Sequence, residues 1–76
     1  MKYENMIEDM KKIQHLLEIQ NLIIEWFRIS NPTERLGQYV MNRFEPFYNQ
    51  VWPELFYERD HDQALKIIYE YIEKNY

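Results

Sequence analysis

Two groups of side chains in this sequence have spacings that chemistry could use. His15 and Glu18 lie three residues apart, which on a helix puts an imidazole and a carboxylate on one edge, half of the carboxylate and histidine arrangement with which helical bundles hold metal ions. A whole site needs matching ligands from other helices, and no other segment repeats the spacing. Glu58, Asp60, His61 and Asp62 form the densest cluster of potential ligands, yet they lack the glycine and the alternating oxygens of a calcium loop. Helix capping accounts for them better: Asp60 suits the N-cap and Asp62 the positive end of the helix dipole, together worth ~1 kcal/mol without any ligand. Cysteine is absent, which excludes thiolate nucleophiles, disulfides and thiolate metal sites. The single serine, Ser30, sits in a helix-breaking turn with no histidine and acid beside it in sequence. The lone Gly37 lies inside a helical segment, where it permits close approach of another helix and does not cradle a phosphate. These residues predict no enzyme, no metal and no cofactor.

The chain that must position any site has 76 residues and a net charge of −4. Surface scaling predicts a folded area of ~5,100 Å² against ~14,000 Å² unfolded, so roughly 64% is buried, which is marginal for a monomer. A core of this size rarely supplies more than about 3–5 kcal/mol unaided. With disulfides excluded, oligomerisation or tight packing is left. At 46% hydrophobic and 17% aromatic residues the chain is too apolar to be disordered. Thirteen acids against nine bases, with no basic patch, make nucleic acid an improbable partner. No run of ~18 apolar residues and no secretory signal is present, which predicts a soluble, cytoplasmic protein without a membrane partner. Nine Ile, seven Tyr and six Asn against one Ala form a bias that AT-rich codons produce, as in a low-GC bacterium or its phage.

Punctuation is sparse and therefore readable. Residues 3 to 29 hold neither Gly nor Pro and repeat apolar positions at three and four residues, predicting one long helix of about 40 Å. Asn31-Pro32-Thr33-Glu34 places an N-cap, a proline at N1 and a capping-box Glu, so a second helix is expected from there to about Phe44, ended by Pro46. Leu36, Tyr39, Val40, Arg43 and Phe44 fall on one face of it. The connector 45–59 carries Phe47, Tyr48, Val51, Trp52, Leu55, Phe56 and Tyr57, too apolar for a solvated loop. Pro46 and Pro53 each suit the start of a single-turn helix. Asp60 to Gln63 caps a last helix reaching the C-terminus, with a broad apolar arc through Ala64, Leu65, Ile67, Ile68, Tyr69, Tyr71, Ile72 and Tyr76. The fold class is all-α: a small bundle in one domain, 1–76, with one long N-terminal helix packed by two shorter ones and an aromatic, partly helical connector.

The long helix has two apolar stripes. Met6, Met10, Ile13, Leu17, Gln20, Ile24 and Phe27 alternate spacings of four and three, a coiled-coil seam with one polar member. Leu16, Ile19, Ile23 and Trp26 form a second stripe, on a nearly opposite side. Two short helices cover one stripe; the other is met either by the aromatic connector wrapping round or by a second copy, and the homodimer is the expectation. Gln20 suits a seam, where a polar residue fixes register. Trp52, Phe56, Tyr57 and Tyr71 are read as partner-facing aromatics, because Tyr and Trp dominate interface anchors.

Arg35-Leu36-Gly37-Gln38, followed by the proline-led turn Pro53-Glu54-Leu55-Phe56 and an acidic stretch, resembles small uncharacterised accessory proteins of phages and prophages across residues 33 to 62. The resemblance implies a class that works by binding a larger host or defence protein, as anti-CRISPR inhibitors do, and carries over no site residue. The expected function is therefore a small acidic protein–protein interaction or regulatory module. The alternatives are a structural subunit acting by self-association and a nucleic-acid mimic or nucleic-acid-binding accessory protein.

Overall fold

Helix α1 spans Lys2–Arg28, the uninterrupted segment. It is followed by α2 at Leu36–Arg43, a 3-10 turn at Glu45–Phe47, α3 at Pro53–Phe56 and α4 at His61–Asn75. This is a computed structural model that describes residues 2–75, with side chains described for 9–75. No strand occurs among the described residues, and the fold is the expected small all-α bundle.

The second helix begins later than the Asn31-Pro32-Thr33-Glu34 signature implies. Residues 29–35 are not helical, and Arg35 is the N-cap in an extended conformation, φ −67° and ψ 159°. The reason lies in where Glu34 is held. Its carbonyl accepts the Trp26 indole N–H at 2.9 Å, while its carboxylate takes Asn42 Nδ2 at 2.6 Å and Arg43 at 2.9 Å. Glu34 is thus committed to α1 and to the far end of α2. Gln38 does the capping instead, its Oε1 accepting the Arg35 N–H at 3.0 Å, the reciprocal half of a capping box. The last helical bond of α2 is Phe44 N–H to the Val40 carbonyl at 2.8 Å; Pro46, lacking an N–H, cannot extend the ladder.

Both prolines of the connector stand at the start of short turns, and Pro53 follows a Trp52 held at φ −139° and ψ 74°, outside the helical region that proline disfavours for the residue before it. Phe47 and Leu55 are fully buried, so the connector is folded down at these two points. It is not so throughout: Tyr48 and Tyr57 are exposed, and Val51 is 95% exposed. Asp60 Oδ1 accepts the N–H of Asp62 at 2.9 Å and of Gln63 at 3.5 Å, which caps α4 as its sequence predicts.

The core is Ile19 and Ile23 of α1, Leu36, Val40, Met41 and Phe44 around α2, Phe47 and Leu55 of the connector, and Ala64, Ile68 and Ile72 of α4. Burying each larger member contributes about 1.5–3 kcal/mol. No polar or charged side chain is buried among the described residues. An aromatic run threads this core: Phe44 meets Phe47 at 4.8 Å between centroids, and Phe47 meets both Trp52 and Tyr71 at 5.3 Å, mutually edge-on as ring quadrupoles prefer. Helix α4 returns along α1 in the opposite sense, since Lys12 pairs with Glu73 at 3.1 Å and Phe27 with His61 at 5.2 Å.

Candidate interaction surface

The two stripes of α1 have separate fates. Ile19 and Ile23 are buried, and Leu16 and Trp26 are half-buried, so the second stripe is the one that α2 and α4 cover. Met10, Ile13, Leu17, Ile24 and Phe27 of the first stripe remain 65, 56, 56, 42 and 51% exposed, and Gln20 is exposed between them. Met6 lies outside the residues whose side chains are described, as does Tyr76. The connector does not wrap round to this stripe. At 100° per residue the stripe centres lie about 110° apart, adjoining instead of nearly opposite. One broad apolar arc therefore runs round α1, of which the bundle takes one part and leaves the other in water.

The stripe is bounded on its polar edge by Gln14, Asn21 and Arg28, all exposed. On its inner edge Phe27 is fixed by edge-on contacts to Trp26 at 5.1 Å and His61 at 5.2 Å. This end of the stripe is held by α4 through a ring that sequence reading assigned only to a cap.

The aromatics read as partner-facing fall into two places. Trp52, Phe56 and Tyr57 line an open hollow of about 280 Å³ with Met41, Gln50, Val51 and Pro53. Tyr71 is not among them. It is half-buried behind Trp52, 4.8 Å from it, and its hydroxyl accepts a hydrogen bond from Gln50 Nε2 at 2.9 Å. Tyr71 is thereby tied to the connector, and with Trp52, Ile67 and Glu70 it lines a second open hollow of about 190 Å³. Met41 and Gln50 of the hollow went unread, because neither carries a periodic signal, whereas Val51, expected to be folded down with the connector, stands almost wholly exposed.

The candidate ligand groups do not converge. His15 and Glu18 flank an open hollow of about 240 Å³ with Gln14, Glu45 and Pro46, and the His15 ring packs edge-on against Phe44 at 5.4 Å. Asp60 is engaged in capping, Glu58 accepts the Asp60 N–H at 3.3 Å, and His61 packs edge-on against Phe27. Among the described residues no three His, Asp or Glu side chains are grouped as metal ligands would be.

A polar brace that sequence reading missed joins α1 to α2. Tyr39 donates to Glu25 Oε1 at 3.2 Å, and the Arg43 guanidinium lies 3.8 Å over the Tyr39 ring while holding Glu34 at 2.9 Å. Desolvation, then the Glu25 carboxylate, raise the Tyr39 phenol above its ordinary 10.0, with Arg43 opposing. No helix among the described residues is long and apolar enough to cross a membrane. Comparison with protein-family models, with curated proteins and with solved structures finds no match to this chain.

Proposed function

We propose that this protein is a small non-catalytic interaction module that binds another polypeptide through the exposed face of α1. One observation carries the reading: five large apolar side chains at alternating three- and four-residue spacing stand roughly half exposed along one helix. A continuous apolar patch of this size, rimmed by polar residues, commonly marks a binding surface. A face built at helical spacing is matched by an apolar helix or groove.

A second reading, action on a larger protein in the manner of phage-type accessory proteins, is favoured by the separate aromatic hollow of Trp52, Phe56 and Tyr57. It adds a contact point away from α1 and requires no catalytic group.

The test pairs affinity capture from a host-type lysate with the solution mass of the purified chain, each run on wild type and on Ile24→Asp. The variant should lose whatever polypeptide the wild type holds, copy or stranger, while its far-UV helical signal is retained because Ile24 is outside the core. A wild type that holds nothing, or a variant that keeps the partner, refutes the reading.

A further inference from the structure

We infer that the occupant of the α1 face is a second copy of this chain, with the two α1 helices antiparallel. This rests on reading that face as a binding surface. Area is the first reason. A standard interface removes about 800 Å² from each partner. Met10, Ile13, Leu17, Ile24 and Phe27 at half exposure supply on the order of 500 Å², taking roughly 200 Å² per large apolar residue. Gln14, Gln20 and Asn21 at the margins bring the patch close to the dimer requirement.

Geometry is the second reason. From Met10 to Phe27 the stripe runs about 25 Å at 1.5 Å per residue, and a helix of that length with the same spacing lets knobs enter holes along all of it. Helix α1 meets both conditions, and a two-fold interface needs one self-complementary patch. Charge is the third. Although the chain is net negative, the polar edge of the stripe carries Gln14, Asn21 and Arg28 and no carboxylate, so a copy meets no line of like charge there.

Orientation follows from side-chain bulk. Antiparallel pairing sets Met10 against Phe27, Ile13 against Ile24 and Leu17 against Gln20, matching the flexible thioether to the large ring. Parallel pairing would stack Phe27 on Phe27 at one end and Met10 on Met10 at the other, and would align the helix dipoles unfavourably. In the antiparallel register both Gln20 amides fall within a turn of the two-fold axis, where each can bond the other.

The experiment is sedimentation equilibrium of the whole chain from micromolar to millimolar concentration. The expected mass is twice 9.7 kDa, and Leu17→Asp should weaken the dimer about a hundredfold or more, as it strikes the seam twice, with helical content retained. The chain lacks cysteine, so Met10→Cys and Phe27→Cys report orientation: neither alone forms a disulfide dimer, whereas their mixture does. Ile13→Cys with Ile24→Cys repeats the test one layer inward. A monomer at every concentration, or a dimer indifferent to Leu17→Asp, overturns the inference; capture of another protein that Ile24→Asp abolishes would then leave the interaction reading standing. Efficient disulfide formation by the single variants overturns the antiparallel arrangement.

Discussion

Gly37 and Leu55 meet backbone to backbone: a Cβ built on Gly37 would overlap the Leu55 carbonyl oxygen and lie 3.0 Å from its carbonyl carbon. This contact sets how closely α3 seats on α2. Two effects of Gly37→Ala oppose each other. Alanine favours the helix by about 1 kcal/mol, but the obstacle is main chain and cannot rotate away, and overpacking of this sort costs about 1–3 kcal/mol. The clash wins. Denaturant unfolding should show Gly37→Ala destabilised by ~1–2 kcal/mol; a variant as stable as wild type would mean that α3 is not seated there.

Asp60 caps α4 through Oδ1, which accepts the N–H groups of Asp62 and Gln63. Asp60→Ala should cost about 1 kcal/mol, and Asp60→Asn a few tenths, because the amide oxygen still accepts. Equal losses in thermal melts of the two variants would show that charge, not the cap bond, is what matters.

Tyr39 should titrate above its ordinary value, since burial and Glu25 both disfavour the phenolate. The sign for stability follows: a raised folded value means its contribution is whole below the unfolded value near 10 and is lost as pH climbs through the folded value. Ring-labelled NMR should place the Tyr39 titration above that ordinary value. Glu25→Gln should bring it downward, and an unmoved titration would remove Glu25 as a cause.

Much of this architecture is legible from punctuation and periodicity. The uninterrupted run before Ser30 is α1, the prolines at 46 and 53 start the two short turns, and Asp60 caps α4. The α2 boundary is the clearest failure. Asn31 to Glu34 has the right residue types for a cap, but Glu34 is drawn off by Trp26, Asn42 and Arg43, partners that only the tertiary fold assembles. The same holds for the brace of Glu25, Tyr39 and Arg43, whose members sit on different helices. For α1, periodicity finds two apolar stripes but cannot say which one α2 and α4 cover. That choice turns on where the short helices come to lie, and they take the stripe of Ile19 and Ile23.

The two tryptophans are placed so that each watches a different seam. Trp26 ties α1 to the linker before α2 through the Glu34 carbonyl, whereas Trp52 lies between Phe47 and Tyr71, where the connector meets α4. The intrinsic fluorescence of the protein is therefore two local signals summed. Separated by single Trp→Phe replacements, they distinguish an all-or-none melt, in which both emissions shift together, from one in which the connector detaches while α1 and α2 stay joined.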